Sequence, residues 1–591
     1  MEQPSPFPTV DETTLKTLVQ FLLKKGLFLH PELKSALLTK PLTLDHYQEN
    51  AMQQPASASL VLSKELQDAI TEFFLLHQLP FSIPQQPTTP PFSSSAPHGS
   101  SQVSSKPNSA NLHSSQVLGS ASTSLPSLSA ALSSQRSAPS NLLFNSTKAS
   151  LQHSFSQTEP QDSQHSFSEH SSRLPPLTIL FNYTQPPSKK EVSDFVAYFN
   201  DRYVKIKSML LYRQELVGLT SLRNILKKKD NEAVSCIVMV KEITTTKNGN
   251  LLLEVEDPTG VGKVVISKAK PDLFSQAQYL VHDEVVGIVG YAGQNVIFCS
   301  NLVFPDTPHL HEYPRSPQES YALFLGDLHV GAKHFLHEPF HKLMQWIAGN
   351  YGNAQQRHLA KKLEYIFFMG DNVEGVGIYP SQFEDLAVAD IYQQYERFEE
   401  IVLSIPSSKR ILIIPGNHDA SRLSEPQPPL DQQFFKRLSH LPHVTFLSSP
   451  SVVKIGETPS FAGFTVLLYH GYSFPYYADT ISEIRNTGGL ERVDKIMSLL
   501  LQKRHLAPAH TSTLYIPGPT DHLVINQVPD IFASGHVHRT TIATYRSTIL
   551  INASCWVDET DYQRKVGLKP QPARAVLVGL HDRQAKILNF E

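Results

Sequence analysis

Residues 321–331 read YALFLGDLHVG, an uninterrupted apolar run followed by Gly326, Asp327 and His329. A short apolar run that ends at a glycine is typical of a strand buried on both faces of a sheet. The carboxyl end of such a strand is where an open α/β sheet places its functional side chains. This stretch therefore predicts an α/β domain with a polar site at the edge of its sheet.

Four further stretches repeat this order of apolar strand, glycine and polar residue. Strands are predicted at 365–369, 411–414, 464–469 and 530–533, and the polar clusters beside them are Gly-Asp-Asn (370–372), Gly-Asn-His-Asp (416–419), His-Gly (470–471) and Gly-His-Val-His (535–538). Apolar residues with helical spacing at 340–347 and 391–402 predict helices, and both sheet faces are expected to be covered. One such cluster is more often a plain turn, but five in succession predict a shared site.

The residue types in these clusters indicate a metal centre. Carboxylate and amide oxygens are mixed with imidazole nitrogens. This mixed donor set suits Mn, Fe or Zn, whereas Mg and Ca prefer sites made only of oxygen ligands. The glycine beside each predicted ligand allows a tight turn that directs the side chain into a common cleft. Histidines that only fill a core would not repeat this order, so we expect divalent cations here.

A second domain, a β-barrel with an OB fold, is predicted at 216–307. Its strands are short, rich in β-branched residues and separated by turns, and they are predicted at 235–240, 251–256, 263–266 and 284–289. OB folds bind single strands by stacking bases on aromatic side chains, and this domain has few of them. A role in protein contact is therefore favoured over a role as the main DNA site.

The rest of the chain is divided by composition. Helical spacing of apolar residues predicts a small α-helical N-terminal module at 1–84, which we interpret as a docking or packing element. Residues 85–174 are rich in Ser, Gln and Pro and predict a disordered linker, because they cannot bury enough apolar surface to offset chain entropy. A connecting helical segment is predicted at 175–215, and the α/β domain is predicted at 318–591.

Composition and charge limit the setting and the partners. The chain has 591 residues, three cysteines and a formal net charge of -3. Sparse cysteines, the lack of a cationic and apolar leader and the absence of a long apolar run predict a cytoplasmic protein with no membrane contact. A net charge of -3 does not supply the long-range positive field of a protein that holds DNA unaided. Any grip on nucleic acid is expected to be local or shared with a partner.

The series Asp-x-His, Gly-Asp, Gly-Asn-His-Asp, His-Gly and Gly-His-x-His resembles the calcineurin-like metallophosphoesterase superfamily. A narrower resemblance is to the small subunit of archaeal family D DNA polymerase, and it is carried by residues 326–331, 375–380, 426–428, 504–508 and 529–532. That family joins an OB domain to a phosphoesterase domain, and the resemblance covers about residues 185–591. Two positions depart from its pattern: Glu374 stands where aspartate is expected, and Cys555 stands where a smaller or hydroxyl residue is usual.

The resemblance implies roles for individual residues. One cation would be held by Asp327, His329 and His538, a second by Asn417, His470 and His536, and Asp371 would bridge the two. The implied cations are Mn, with Fe, Zn or Mg as alternatives. His418 would protonate the leaving 3′-oxygen, and Arg422 and Tyr379 would contact DNA. Asp419 would either orient an imidazole or stabilise its turn.

The favoured function follows from the same resemblance. We expect the small subunit of a replicative DNA polymerase, providing metal-dependent 3′–5′ exonuclease proofreading of single-stranded or frayed primer ends. Its expected partner is the large catalytic subunit, since no polymerase site is recognised in this chain. Two alternatives stay open: a non-catalytic scaffold subunit, and a free-standing repair nuclease or phosphodiesterase of the same superfamily.

Overall fold

The structure is a computed structural model that describes residues 174–186, 188–308, 313–560, 563–564 and 568–591. The helical module predicted at 1–84 and all but the last residue of the linker predicted at 85–174 lie outside the described residues. Among the described residues, no helix is long and apolar enough to cross a membrane.

The segment before the barrel contains a strand and a helix. Strand β1 (Leu177–Asn182) pairs antiparallel with a strand at Ser451–Ile455, and helix α1 spans Val192–Leu210. The prediction of a connecting helical segment over 175–215 therefore differs from the structure at its beginning. The difference is non-local in origin, because β1 is short and pairs with residues about 270 positions away at the edge of a sheet.

The barrel follows α1 and is closed in the order β2-β3-β4-β6-β5. Its strands are β2 (Ala233–Thr245), β3 (Leu251–Asp257), β4 (Gly260–Ile266), β5 (Val285–Gly293) and β6 (Val296–Val303), with α2 (Leu222–Ile225) before β2 and α3 (Pro271–Ala277) between β4 and β5. The predicted small barrel is confirmed. Alternate residues of β3, Leu251, Leu253 and Val255, point into a core of aliphatic side chains, as a strand with one buried face requires.

The remaining strands form two six-stranded sheets. One has the order β1-β11-β12-β13-β15-β14 and the other the order β10-β9-β8-β7-β16-β17. The strands are β7 (Tyr321–Leu325), β8 (Leu363–Met369), β9 (Arg410–Ile414), β10 (Val444–Phe446), β11 (Ser451–Ile455), β12 (Phe464–Leu468), β13 (Ile531–Ser534), β14 (Thr541–Tyr545), β15 (Thr548–Asn552), β16 (Arg574–Gly579) and β17 (Ala585–Asn589).

Helices cover the outer faces of the two sheets. They are α4 (His337–Ile347), α5 (Ala354–Lys361), α6 (Ile391–Leu403), α7 (Phe474–Thr480), α8 (Ser482–Arg485) and α9 (Val493–Lys503). Alternate residues of β7 separate the layers: Phe324 packs in the core shared with the other sheet, whereas Leu323 and Leu325 pack in the cluster that contains α4 and α6. Both faces of each central strand are covered as predicted, but one cover is a second sheet, which an apolar run cannot distinguish from a helix layer.

A buried ion pair joins α1 to the α/β domain. Arg202 Nε lies 2.7 Å from Asp521 Oδ2, and an Arg202 terminal nitrogen donates to the Pro508 carbonyl at 2.6 Å. His505 Nε2 is also 2.8 Å from Asp521 Oδ2. Burial raises the pKa of Asp521, but His505 and Arg202 outweigh burial and hold that pKa well below its ordinary value.

A second buried pair links the barrel to α9. Lys503 Nζ lies 2.6 Å from Glu284 Oε2, and both side chains are almost fully buried. Charges removed from water in this way are tolerated only when each is paired. The barrel, α1 and the α/β domain are thus held in one fixed arrangement by partners that come from different parts of the chain.

Replacing Arg202 by methionine is expected to destabilise this arrangement, since Asp521 would keep its buried charge and lose its guanidinium partner. Removing one member of a buried pair costs about 3–5 kcal/mol, which the free energy of urea-induced unfolding would report. The control is Lys189→Met, which removes a solvent-exposed pair with Glu191 and should cost at most about 1 kcal/mol. Equal losses in the two variants would contradict the assignment.

Candidate metal centre

The five polar clusters predicted from the sequence meet at one place. They follow the carboxyl ends of β7, β8 and β9 in one sheet and of β12 and β13 in the other. Because the sheets pack face to face, the two sets of strand ends lie opposite each other. Three groups of side chains have ligand atoms within 4.8 Å of one another: Asp327, His329 and His538, called the first group; Asp371, His470 and His536, called the second group; and His329, Glu374 and His418, which share His329 with the first group.

The backbone at these ligands is unusual. Five of the seven predicted ligands have positive φ angles, namely Asp327 (44°), His329 (52°), Asp371 (48°), His536 (71°) and His538 (56°). Non-glycine residues avoid this region, and each one held there costs about 1–3 kcal/mol, so such residues cluster at functional sites. The strain is local to the strand ends and marks this edge of the sheets as more than a set of turns.

Close approach of the turns explains one of the glycines. A Cβ atom on Gly416 would overlap Oδ1 of Asp371, a predicted ligand at the neighbouring strand end. Any side chain there would force these two turns apart. The glycines were predicted to allow tight turns. At Gly416, a glycine is also required because a side chain would have no space beside Asp371.

In the first group, two imidazoles face each other. His329 Nε2 lies 3.0 Å from His538 Nε2, and His329 Nδ1 lies 2.8 Å from Glu374 Oε2. Histidine nitrogens bind transition metals at about 2.0–2.1 Å. Two nitrogens that bind one cation therefore lie about as far apart as these two Nε2 atoms. A carboxylate on the remote nitrogen of a ligating histidine fixes the ring and strengthens the ligand. The donor set therefore fits a divalent cation.

In the second group, a backbone carbonyl fixes the ring of His470. His470 Nδ1 lies 2.8 Å from the Met369 carbonyl oxygen, and Nε2 lies 3.0 Å from Asn417 Oδ1. A proton on Nδ1 would leave the lone pair of Nε2 directed at Asn417 and the neighbouring carboxylate. This group also offers mixed oxygen and nitrogen donors to one point.

Asp371 belongs to the second group and also faces the first. Its Oδ2 is 3.3 Å from His470 Nε2 and 3.9 Å from His329 Nε2, and its Oδ1 accepts the His418 backbone N–H at 2.8 Å. A carboxylate in this position can reach ligands of both groups. The geometry supports the bridging role that remains a prediction for Asp371.

The charges in the cluster explain why it would favour a cation. Burial raises the pKa of Asp327 to about 7. Burial alone would lower the pKa of His329 and His470, but Glu374 raises that of His329 to about 9 and Asp371 raises that of His470 to about 10. Without a metal ion, the site thus holds protons near neutral pH. A divalent cation would displace them, so metal binding is expected to release protons.

His418 lies beside the first group. Its Nδ1 is 2.8 Å from the Glu374 carbonyl oxygen, and its ring packs edge-on against His329 with 4.5 Å between centroids. Burial lowers the pKa of His418, opposed by Asp371 and Glu374. The carbonyl contact fixes the ring and leaves Nε2 as the second nitrogen available for proton transfer.

Comparison with known proteins identifies the family. Residues 322–542 match the family model for the B subunits of DNA polymerases alpha and epsilon. The DNA polymerase II small subunit of Methanothermobacter thermautotrophicus is 36% identical over 381 residues, which cover 64% of this chain and 76% of the relative. The chain belongs to the DNA polymerase II small-subunit family. The small subunit from Archaeoglobus fulgidus is 34% identical over 387 residues, covering 65% of this chain and 75% of its own.

Among solved structures, Vps29 from Entamoeba histolytica, complexed with Zn²⁺, aligns over 46% of this chain and 99% of its own length. The sequence identity is 14% and the TM-score is 0.21. A TM-score this low supports no argument, so the assignment to the DNA polymerase II small-subunit family depends on the sequence relatives.

Glu374 is the residue of this site that sequence reasoning missed. The sequence analysis noted it only as a departure from the family pattern. Besides contacting His329, its Oε1 accepts hydrogen bonds from Gln382 Nε2 at 2.9 Å and from the Tyr379 hydroxyl at 3.2 Å. Nothing in the local sequence indicates this network, because it forms only where the loop after Glu374 folds back and brings Gln382 to the Glu374 carboxylate.

The two predicted DNA contacts make contacts within the protein. Arg422 Nε donates to the Ser424 carbonyl at 3.1 Å, and its guanidinium lies over the Tyr183 ring at 4.9 Å. The Tyr379 hydroxyl bonds Glu374 and also Asp385, at 3.1 Å. Both side chains are near the site, and their contact with DNA stays a prediction.

Two other residues singled out by the sequence have structural roles. Asp419 Oδ2 accepts hydrogen bonds from the Gly416 N–H and the Asn372 side-chain amide, both at 2.9 Å. Of the two expected roles of Asp419, this contact set favours stabilisation of the turn. Cys555 is fully buried, and burial raises the pKa of its thiol.

Glu374→Gln is expected to weaken metal binding about 10- to 100-fold, the usual effect of removing a residue that orients a ligating histidine. The glutamine keeps the size of the side chain but loses the negative charge beside His329. Isothermal titration with Mn²⁺ or Zn²⁺ measures the change. Glu384→Gln, an exposed neighbour, is the matched control, and equal affinity in the two variants would refute the role of Glu374.

Proposed function

We propose that this chain is the nuclease subunit of a DNA polymerase and that it hydrolyses phosphodiester bonds at the 3′ ends of single-stranded or frayed DNA. The observation that carries the proposal is the convergence of seven donor side chains from five strand ends, with Asp371 within 4 Å of a histidine nitrogen in each of the first two groups. The relatives are DNA polymerase II small subunits, which supports DNA as the substrate. The 3′–5′ direction is an expectation from the resemblance noted in the sequence.

The proposed centre holds two divalent cations, most simply Mn²⁺ given the mixed oxygen and nitrogen donors. Asp327, His329 and His538 would hold one, Asn417, His470 and His536 the other, with Asp371 shared. Two such cations supply a clamp for the phosphate and a water of lowered pKa. The protein positions the donors: Glu374 holds the ring of His329, and the Met369 carbonyl holds the ring of His470.

His418 is proposed as the general acid. With Nδ1–H donating to the Glu374 carbonyl, Nε2 would deliver a proton to the leaving 3′-oxygen from the imidazolium form of the ring, which then becomes neutral. Its backbone N–H also bonds Asp371, so the same carboxylate fixes the position of His418 relative to both groups of ligands. Proton transfer and phosphate binding would therefore be aligned by one rigid turn.

The non-catalytic scaffold is the competing proposal. A scaffold needs the barrel and the sheets but has no use for buried carboxylates and positive φ angles at the strand ends. A complete set of donors in contact with one another favours the enzyme. The free-standing nuclease is disfavoured by the sequence relatives, which are polymerase small subunits.

The proposed partner is the large catalytic subunit of the polymerase. A chain with a net charge of -3 lacks the excess of Lys and Arg that neutralises several phosphates. The large subunit would supply most of the electrostatic hold on DNA, and its expected contacts are the barrel and the adjoining α/β surface.

Asp371→Asn is expected to reduce nuclease activity to the background of the metal-free protein. The amide preserves the acceptor for the His418 N–H but removes the charge shared by the two groups of ligands. The assay uses purified protein, Mn²⁺ and 3′- or 5′-labelled single-stranded DNA. Circular dichroism confirms folding, and near-normal cleavage by the folded variant would contradict the two-metal proposal.

His418→Ala is expected to behave differently. Turnover should fall by about 10²- to 10⁴-fold, the usual contribution of a general acid, while the stoichiometry of bound metal stays unchanged. Metal content measured by elemental analysis after dialysis separates the two roles. Loss of one cation would instead make His418 a ligand.

A further inference from the structure

An exposed apolar loop stands beside the metal centre. It comprises residues 375–386, which directly follow Glu374, and we refer to it as the rim loop. Three of its side chains are apolar and exposed: Val376 (47%), Ile378 (37%) and Phe383 (73%). Exposed apolar side chains grouped next to a functional site mark an interaction surface.

The rim loop is fixed in place by hydrogen bonds. The Gly375 N–H donates to Gln394 Oε1 at 2.8 Å, and the Ile378 N–H donates to Gln382 Oε1 at 2.9 Å. At its other end, the Asp385 carbonyl accepts the Lys333 N–H at 2.8 Å. The apolar side chains are therefore presented in one arrangement, and binding there requires little ordering of the loop.

The rim loop also contacts the residues of the centre. A Cβ atom on Gly375 would overlap the His418 carbonyl oxygen, and the ring of Tyr379 lies 6.2 Å from the ring of His418. Gln382, next to Phe383 in the chain, hydrogen-bonds Glu374, which contacts His329. A nucleotide whose phosphate lies at the centre would have its base within reach of this loop.

We propose that the rim loop binds the terminal nucleobases of the substrate strand, with Phe383 as the stacking surface and Val376 and Ile378 as its apolar border. The inference rests on the proposed function, because it takes the scissile phosphate to lie at the metal centre. Bases have apolar faces that stack on aromatic side chains. Bases in a paired duplex have these faces covered, so the loop would select unpaired ends.

Charge favours base contact over phosphate contact here. Glu384 is exposed beside Phe383, and the Lys333 ammonium group is engaged with the Glu384 carbonyl at 2.6 Å. A carboxylate repels the phosphate backbone but does not oppose stacking on a ring. The loop is therefore suited to the base side of a strand whose phosphates face the cations.

The test uses the full-length chain and a single-stranded oligonucleotide with 2-aminopurine at its 3′ end and a phosphorothioate linkage that resists cleavage. Wild-type protein is expected to quench the fluorophore by stacking. Phe383→Ala should abolish the quenching and raise Kd about 5- to 140-fold, the loss of one base stacked on an aromatic ring. Phe383→Trp should restore both.

The control is Tyr392→Ala, which removes another exposed aromatic side chain (61%) on the outer helix α6. It should leave quenching and Kd unchanged. Quenching and affinity that survive Phe383→Ala would overturn the proposal, and so would an absence of quenching by wild type. If Phe383→Ala instead binds DNA normally but no longer copurifies with a polymerase large subunit, the loop is a protein contact and the proposal is wrong.

Failure of the proposed function gives a different result. The fluorescence assay requires no hydrolysis, so a wild-type chain that does not cleave DNA would refute the nuclease while leaving the quenching to decide the role of Phe383. A chain that cleaves DNA without Phe383-dependent quenching would refute the rim loop alone.

Discussion

The burial of two carboxylates at the same sheet edge is the constraint on which the rest of this structure depends. Asp327 and Asp371 are at most 1% exposed. Two like charges removed from water raise each other's pKa and cannot both stay ionised without positive charge nearby. His329 and His470 lie beside them with raised pKa values, and these two imidazoles are both the available counter-charges and possible metal ligands. A cation satisfies this arrangement more completely than protons do.

The two-sheet architecture brings these carboxylates and imidazoles together. Ligands from one sheet alone would form a row, whereas two sheets packed face to face bring the ends of β7, β8 and β9 opposite those of β12 and β13. The inter-sheet core keeps the two edges at a fixed separation. The barrel is joined to the α/β domain by the buried pair of Glu284 with Lys503, and α1 by that of Arg202 with Asp521; both resist displacement because an unpaired buried charge is costly.

The sequence predicted what is encoded locally. Each predicted ligand lies within a few residues of a strand end, so strands β7, β8, β9, β12 and β13, the barrel and the five clusters could be predicted from apolar runs and turns. What depends on tertiary folding was not predictable: β1 pairs with β11 across about 270 residues, and Glu374, in the loop after β8, contacts His329, in the loop after β7. An apolar run also does not indicate whether a helix or a second sheet packs on each face of the strand.

The energetics of the site bear on whether it is still used for chemistry. Positive φ angles at five predicted ligands cost about 1–3 kcal/mol each, and burying Asp327 and Asp371 together adds a further cost. A protein that needed only the scaffold would gain stability by replacing any of these residues with a neutral or conformationally relaxed one. Glu374, the Met369 carbonyl and the His418 turn instead hold the donors in place. Loss of stability at these residues, together with contacts that support the strained backbone, is what the proposed catalytic function would require.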